Sequence, residues 1–487
     1  MTENTNLKRG LNLLDSTTIV IGSMIGSGIF IVSADIARTV GSPGWLLLIW
    51  IITGLVTIAA ALSYGELAAM MPHAGGQYVY LKEAFNKCIG FLYGWTLFTV
   101  IQTGTIAAVA MAFAKFTGVI FPFISSSNWL FKIGEFGSYK VGLTTENSLA
   151  IISIFLLTWI NTRGIAAGKT IQNIFTLTKA IALFVLILLG AFLGRNISII
   201  SQNMNNFWNA SWTHVKDGIV ITENIHGLYI LKAVSVAMVG SLFSADAWNN
   251  ITFTAGEVIN PKKNIPLSLI IGTSTVIFLY LLVNIIYLCV LPLHGDIGGL
   301  DPISRGIQFA TNDRVGTAVA EVLLGNSGAF LMASLIMIST FGCNNGIILS
   351  GARVYYAMAN DGLFFKFASK LNKNLVPSNA LISQAIWASL LCLSGTYGDL
   401  LDYVVFAVLL FYVLTIMGLF VLRVKKPDME RPYKVIGYPF VPISYIFFAI
   451  SMLIALLIFK PSYTWPGLFI VFLGFPVYYL WKSRNKN

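Results

Sequence analysis

The sequence predicts an all-α membrane protein with about twelve transmembrane helices. Its length, its scarcity of charge and its recurring apolar stretches lead to this fold class. The chain has 487 residues, of which 56% are hydrophobic and 10% are charged, whereas a soluble domain carries about 25% charged residues. A folded surface in water needs more polar cover, so a soluble enzyme and a disordered chain are poor interpretations. At roughly 40 residues per span with its loop, the length allows about twelve spans.

Apolar stretches of roughly 18–27 residues, separated by polar segments, mark the individual spans. Three longer polar segments, near 119–147, 195–227 and 292–324, fall in alternate gaps and therefore lie on one side of the membrane as loops. The predicted spans, numbered 1 to 12 in chain order, are Asp15–Thr39, Gly44–Met71, Cys88–Gly118, Ser148–Asn161, Thr170–Gly194, Leu228–Glu257, Pro266–Leu291, Gly325–Asn360, Pro377–Leu393, Leu400–Leu422, Pro439–Lys460 and Trp465–Trp481.

Basic residues orient the chain, because cytoplasmic loops carry an excess of Lys and Arg. With the N-terminus inside, 20 of the 31 basic residues lie on the cytoplasmic side, 9 lie outside, and Lys179 and Lys232 lie within spans. This bias predicts an integral plasma-membrane (inner-membrane) protein with both termini in the cytoplasm. The net charge of +11 then reflects topology and attraction to the anionic lipid bilayer, and nucleic acid is not an expected partner.

The sequence contains no constellation typical of a metal site or of catalysis. Its four cysteines lie within or beside apolar runs without paired spacing, which is typical of small core residues. Its four histidines lie outside the spans, and no two have the spacing of metal ligands. We therefore expect no cofactor, no metal and no enzymatic activity.

Span 1 contains a glycine-rich interruption. Gly26 and Gly28 flank Ser27, and each glycine weakens a helix by roughly 1 kcal/mol relative to alanine. Irregular backbone persists in lipid only where protein or a water-filled cavity satisfies its polar groups. The alternative is close helix packing through the Gly22–Gly26 pair, a G-x-x-x-G pattern, although that pattern does not require Gly28.

Span 6 contains a second irregular segment, Gly240–Asn250, with the carboxylate of Asp246 deep in an apolar run. At 1.5 Å per residue, Gly26 lies about 16 Å from Asp15, and Asp246 lies about 16 Å from Glu257. Half of the hydrocarbon core is about 15 Å, so both segments reach the midplane. Paired irregular helices in two halves of a chain indicate an inverted-repeat transporter with a central site. A purely structural role for Asp246 remains the alternative.

Three further charged residues lie within or near the spans. Lys179 in span 5 is about 13 Å from Thr170, so it needs a partner or an aqueous cavity; a lysine paired for structure alone is the alternative. Lys232 lies near the outer end of span 6 and is expected to extend to the interface. Glu66, about five residues from Pro72, is interpreted as interfacial or structural.

With these features, the sequence resembles the L-type amino acid transporter family of the amino acid–polyamine–organocation superfamily. The resemblance covers nearly the whole chain, and the order and spacing of its motifs are more specific than any one of them. The motifs are Ile25-Gly26-Ser27-Gly28-Ile29-Phe30, Tyr64-Gly65-Glu66-Leu67 with Pro72 and Gly75-Gly76, Gln172-Asn173-Ile174-Phe175-Thr176 with Lys179, Glu257 with Asn260-Pro261, and Arg431-Pro432-Tyr433-Lys434-Val435.

The resemblance implies a LeuT-like fold in one transporter domain, 1–487. Residues 14–194 and 228–423 would form two five-helix repeats of inverted topology, and helices 11 and 12 would follow in 437–482. The implied substrate site lies at the two interruptions. There, backbone amides around Ser27 would bind an α-carboxylate, and carbonyls after Gly240 would accept an α-ammonium. The implied substrate-binding residues are Ile25, Ser27, Gly28, Ile29, Phe243, Ser244, Ala245 and Asp246.

The resemblance also implies residues for gating and coupling. Phe243 would be an aromatic gate over the substrate, and an ordinary packed core ring is its alternative. Lys179 matches a family lysine that fills the space of a sodium ion in sodium-coupled relatives, with Ser339 as its partner. A resident cation beside Gly26 argues against sodium coupling.

The chain departs from the family pattern in two places. Ala245 and Ala247 stand where the family often carries Tyr and Gly, so the side-chain preference of the substrate site cannot be transferred. Asp246 would touch the substrate ammonium or only support the interruption. The outer loop 119–147 contains no cysteine, so no disulfide-linked heavy subunit is expected.

The expected function is alternating-access transport of amino acids, as sodium-independent exchange of neutral L-amino acids. Proton-coupled symport and a non-transporting amino acid sensor are the alternatives. A channel is not supported, because the sequence contains no filter-like repeat.

Overall fold

The predicted spans are helical in a computed structural model of the chain, which describes residues 9–136, 139–205, 207–216, 219–393 and 397–484. Nine helical segments of these residues are long and apolar enough to cross a membrane. They coincide with nine of the predicted spans, and the other three form shorter helices at Thr145–Thr162, Leu228–Ser244 and Ser378–Leu391. Helices dominate because each of them satisfies its own backbone polar groups in hydrocarbon.

The α-helices of the described residues are numbered in chain order. They are α1 (Leu13–Met24), α2 (Gly28–Val40), α3 (Pro43–Met70), α4 (Gln77–Ala84), α5 (Lys87–Thr96), α6 (Gln102–Ile120), α7 (Thr145–Thr162), α8 (Ile165–Leu193), α9 (Ile197–Asn205), α10 (Leu228–Ser244), α11 (Asn250–Phe253), α12 (Pro261–Val290), α13 (Pro302–Arg305), α14 (Val315–Leu324), α15 (Asn326–Asn360), α16 (Ser378–Leu391), α17 (Tyr397–Lys425), α18 (Phe440–Phe459) and α19 (Pro461–Arg484).

Local sequence sets where the first helices begin and end. The Asn12 side chain accepts from the Asp15 amide at 2.9 Å, and the Asp15 carboxylate accepts from the Asn12 amide at 3.1 Å. This reciprocal capping box fixes the start of α1. Gly41 ends α2 with a φ of 53°, a left-handed conformation that glycine adopts without steric cost. The start of α3 has Pro43 as its first residue, where a missing amide does no harm.

Two β-hairpins occupy segments that the sequence predicts as loops. One joins β1 (Trp129–Phe136) to β2 (Tyr139–Thr144), and the other joins β3 (Ser211–Lys216) to β4 (Ile219–Asn224), both antiparallel. The interpretation of these segments as plain loops is therefore incomplete. Strands of six to eight residues with mixed polarity give a weak periodic signal. Because both hairpins follow an odd-numbered span, they lie on the same side of the molecule, which we name the hairpin side.

The opposite side is closed by contacts around the start of α1. The amides of Gly10 and Leu11 donate to the Glu257 carbonyl at 2.8 and 3.0 Å, and the Ile259 amide donates to the Leu11 carbonyl at 2.8 Å. The segment before α1 thus pairs with the segment after span 6 as a short parallel bridge. The Lys169 ammonium adds an ion pair with the Asp15 carboxylate at 2.7 Å, which joins α1 to α8.

A buried ion pair extends this closure to α15. The Arg353 guanidinium donates to both carboxylate oxygens of Glu257, at 3.0 and 3.1 Å, and both side chains are buried. This fork-to-fork geometry is the strongest form of such a pair. Glu257 therefore holds the N-terminal segment through its carbonyl and α15 through its carboxylate.

The remaining charged residues singled out in the sequence also have partners. Glu66 is fully buried, and its carboxylate is 2.6 Å from the Arg423 guanidinium and accepts from the Val435 amide at 2.8 Å. It joins α3 to α17 and the segment after it, which is a structural position. Lys232 lies over the rings of Trp212 and Phe459, at 5.0 and 5.8 Å. Of the basic residues counted for orientation, Lys8 and Lys486 lie outside the described residues.

Replacement of Arg353 by Met should lower the free energy of unfolding by about 3–5 kcal/mol, because the Glu257 carboxylate would stay buried without its counter-charge. Chemical unfolding of the purified protein in detergent measures this loss. The double variant Glu257→Gln/Arg353→Met should recover part of it, because no lone charge remains.

The matched control is Lys262→Ala, which removes an exposed ion pair to Glu430 of 2.6 Å. Exposed pairs contribute at most about 1 kcal/mol. A loss in Arg353→Met no larger than the loss in Lys262→Ala would show that the buried pair does not stabilise the fold.

Candidate functional site

The interruptions of spans 1 and 6 meet in the interior of the bundle. Span 1 is split between Met24 and Gly28, and span 6 is split between Ser244 and Asn250. A Cβ added at Gly28 would lie 2.1 Å from the Ser244 Oγ and 3.0 Å from the Ser244 Cα. The backbones thus approach so closely that only glycine fits at this point. Ala247 within the second interruption has a φ of 65°, a conformation that is strained for a non-glycine residue.

Two helix ends of opposite polarity face this contact. The helix α2 begins at Gly28, and its first turn forms the positive end of the helix; the Phe30 amide of this turn donates to the Ser27 carbonyl at 3.0 Å. The helix α10 ends at Ser244 with its carbonyls as the negative end. The Phe243 carbonyl accepts from the Asp246 amide at 3.1 Å. A positive and a negative end side by side can hold a carboxylate and an ammonium of one small zwitterion.

Lys179 and Ser339 converge on the broken end of α1. The buried Lys179 ammonium donates to the Gly22 carbonyl and, at 2.7 Å, to the Ile25 carbonyl. The Ser339 hydroxyl donates to the same Ile25 carbonyl at 3.2 Å, and the Ser339 carbonyl lies 3.5 Å from the ammonium. The structure thus brings the two residues together, beside Gly26. A cation at the carbonyl end of a helix is electrostatically favourable.

Asp246 lies in a different direction from these groups. Its carboxylate accepts from the Tyr412 hydroxyl at 2.6 Å, and Tyr412 packs edge-on against Tyr64 with ring centroids 5.6 Å apart. Asp246 and Tyr412 line two small cavities of about 20 Å³ each, and each has room for about one water molecule. Polar side chains, among them Gln102, line the first cavity.

The α2 amides do not take part in either cavity. Ser27, Gly28 and Ile29 are absent from the lining of both, within the part of the chain that the structure describes. The sequence-predicted site residues therefore fall into two groups. One group surrounds the contact of the two helix ends, and Asp246 with its cavities forms the other.

Tyr280 on α12 is a site residue that the sequence analysis missed. Its hydroxyl lies 2.9 Å from the Met24 carbonyl and 3.2 Å from the Ser244 carbonyl, so it bridges the two interruptions. One helical face of α12 also carries Asn284, bonded to Ser33 at 2.6 Å, and Tyr287, whose hydroxyl is 3.3 Å from the Ile29 carbonyl. The spacing of four and three residues in an otherwise apolar span is the signal that could have identified this face.

A π-helical turn, Leu97–Ile101, interrupts span 3 where it borders the first cavity. Such turns are rare and occur frequently at functional sites. No group of three or more His, Cys, Asp or Glu residues with the geometry of a metal site occurs in the described residues.

The fold and the site define an integral, multi-pass, all-helical membrane protein with two interrupted helices in contact at its centre. Residues 11–478 match the amino acid permease family, and the chain belongs to that family. The family consists of transporters and not of enzymes, and the predicted resemblance to the L-type branch of the superfamily is confirmed by the relatives described next.

The chain is similar over nearly its whole length to several animal transporters. It is 30% identical to the large neutral amino acids transporter small subunit 2 of Mus musculus over 485 residues, which cover 99% of this chain and 83% of that protein. It is 29% identical to the b(0,+)-type amino acid transporter 1 of Mus musculus, with 99% and 91% covered. It is 28% identical to the Asc-type amino acid transporter 1 of Mus musculus, with 99% and 84% covered.

Replacement of Tyr280 by Phe should lower the free energy of unfolding by about 1–3 kcal/mol, because buried carbonyls lose their donor while the ring keeps its packing. Chemical unfolding in detergent measures the loss. The control is Tyr229→Phe, since Tyr229 is exposed and its hydroxyl is accessible to water. Equal stability of the two variants would mean that the bridge to Met24 and Ser244 contributes nothing.

Proposed function

We propose that this protein is a secondary transporter that moves amino acids across the plasma membrane by alternating access, with both termini in the cytoplasm. The observation that carries the proposal is the contact between the positive end of α2 and the negative end of α10 at Gly28 and Ser244. A free amino acid carries a carboxylate and an ammonium on the same carbon atom, and these two ends offer complementary partners for both.

The proposed binding mode assigns roles to the predicted residues of the contact. The amides of Ser27, Gly28 and Ile29 bind the α-carboxylate, and Ile25 lies in the same interrupted segment of span 1. Carbonyls of Phe243, Ser244 and Ala245 accept the α-ammonium, and the Phe243 ring covers the substrate. This assignment uses backbone groups for the part that all amino acids share, and leaves selectivity to the side chains around them.

Sodium independence is part of the proposal. The Lys179 ammonium, donating to the Ile25 carbonyl at 2.7 Å, already supplies a positive charge to the carbonyls at the end of α1. A sodium ion placed there would meet this charge at close range without a carboxylate to compensate it. The relatives named for large neutral amino acids support neutral L-amino acids as the exchanged substrates.

Alternating access requires the side around Glu257 to open, and we propose that the closure described there is its inner gate. The repeats 14–194 and 228–423 would carry one interruption each, and helices 11 and 12 in 437–482 would lie beside them. The loop 119–147 lacks a cysteine, so we propose transport without a disulfide-linked heavy subunit, although similar proteins are named as small subunits.

Uptake into liposomes tests this function. Purified protein in sodium-free buffer should take up labelled leucine several-fold faster when unlabelled leucine is inside. An exchanger returns to its outward-facing state only with substrate bound, so internal leucine is needed for repeated cycles. Addition of sodium should leave the rate unchanged. Absence of uptake for every proteinogenic amino acid, with binding retained in a thermal-shift assay, would favour a non-transporting sensor.

A pair of lysine variants separates the site from general damage to the protein. Lys179→Ala should lower the exchange rate at least about tenfold, since the carbonyls of Gly22 and Ile25 lose a charged donor worth roughly 1.5–3 kcal/mol. Lys232→Ala, which removes a cation packed on aromatic rings near the hairpin side, should keep the rate. Equal rates in the two variants would reduce Lys179 to a structural residue.

Proton-coupled symport is the second candidate, and Asp246 favours it. Its half-buried carboxylate accepts from a neutral donor, the Tyr412 hydroxyl, and borders two cavities large enough for water. A carboxylate within a span that borders water is typical of a proton pathway.

An imposed pH gradient distinguishes the two candidates. For symport, an acidic exterior should drive uptake into liposomes that contain no amino acid, and Asp246→Asn should abolish this dependence. For exchange, the gradient should have no effect without internal substrate. Tyr412→Phe serves as the control, because it keeps the carboxylate and removes only its hydrogen-bond donor.

A further inference from the structure

The chain that leads into the first hairpin, Phe121–Lys132, exposes large apolar side chains on a connection that the sequence predicts as polar. Phe123 is 65% exposed, Phe131 63% and Leu130 61%. The rings of Phe121 and Phe123 lie 6.1 Å apart. Water is a poor environment for such a cluster, so its exposure indicates an apolar partner outside the described residues.

The length of α7 fixes the depth of this segment. Its 18 residues span about 27 Å, which is shorter than a hydrocarbon core of about 30 Å. At its far end, the Arg163 guanidinium lies 4.5 Å from the Trp159 ring, a pair typical of a membrane interface. Trp159 is only about 21 Å from Thr145. The start of α7 therefore lies no higher than the edge of the hydrocarbon on the hairpin side.

Hydrogen bonds hold Phe121–Lys132 at this same depth. The Thr145 hydroxyl donates to the Phe123 carbonyl at 2.8 Å, and the Thr145 amide donates to the Asn128 carbonyl at 2.9 Å. Trp129 pairs with Thr144 in the hairpin ladder. The exposed aromatic cluster is thus tied to the first turn of α7 and cannot stand far out in water.

The helix to which the segment is bonded, α7, also exposes large apolar side chains. Ile152, Phe155 and Trp159 on α7 are exposed, as expected for side chains in contact with lipid. The Lys132 ammonium lies 5.6 Å from the Trp129 ring centroid. Aromatic rings with a lysine that reaches outward are the composition of the headgroup zone.

We propose that Phe121–Lys132 is a lipid-binding surface, inserted into the headgroup region of the leaflet on the hairpin side. Its partner is a phospholipid surface and not a second protein. The hairpin thereby lengthens the membrane contact of a span that is too short to cross the core alone.

Collision accessibility of a spin label tests this proposal on the full-length protein. A nitroxide is attached at Phe123→Cys, or at Phe131→Cys if the first variant does not fold, in liposomes of phosphatidylethanolamine and phosphatidylglycerol. Cys88 and Cys289 are half-buried and are replaced by Ser, whereas Cys343 and Cys392 are buried and stay. Oxygen concentrates in lipid and a nickel chelate stays in water, so the ratio of their collision rates reports the environment of the label.

Two positions of known environment bracket the result. Phe155→Cys on α7 gives the value for lipid. Glu223→Cys, an exposed charged position on the second hairpin, gives the value for water. The label on Phe121–Lys132 should show an oxygen-to-nickel ratio several-fold above the Glu223 position and close to the Phe155 position.

Two results would overturn the proposal. A ratio equal to that at Glu223 would place the cluster in water. Low collision rates with both reagents would mean that a protein surface covers it, either a second copy of the chain or another partner. Neither result would contradict the proposed transport activity, which the liposome uptake assay tests separately.

Discussion

The structure depends on one constraint: inside lipid, each backbone polar group needs a partner from the protein. In the part of the chain that the structure describes, the spans other than 1 and 6 meet this constraint mainly with helical bonding, with a π turn in span 3. Spans 1 and 6 do not, and the residues gathered around them supply the missing partners. Lys179, Ser339 and Tyr280 all donate to carbonyls at the broken helix ends. These side chains therefore satisfy backbone groups that an uninterrupted helix would satisfy by itself.

The same constraint explains why the charged residues of the interior occur in two kinds of setting. Glu257 with Arg353 and Glu66 with Arg423 form ion pairs in which a guanidinium meets a carboxylate, so each of these charges has a hydrogen-bonded counter-charge. Lys179 and Asp246 are bonded to neutral carbonyl and hydroxyl groups. The first setting holds helices together, and the second leaves a charge that can respond to a ligand.

Hydropathy and glycine content were sufficient to predict a helix in each of the twelve spans, nine of them long and apolar enough to cross a membrane, and both interruptions, because these features are local in the sequence. The pairing of Lys179 with Ser339 followed from family resemblance. The bridge from Tyr280 to Met24 and Ser244 could not be predicted, since it joins residues 256 and 36 positions apart and its tyrosine looks like any aromatic residue of an apolar span. The hairpins were missed because short strands of mixed polarity leave no clear period.

The position of Tyr280 has a mechanical consequence. A hydroxyl has one proton, yet two carbonyls on different broken helices lie within its reach. If either helix moves away, the proton can be donated wholly to the other carbonyl, so the number of hydrogen bonds stays the same. Relative displacement of the two helices then proceeds by transfer of a bond and not by its rupture. The point where the two interrupted helices meet is, for this reason, also a point where a hydrogen bond can be kept while one helix moves relative to the other.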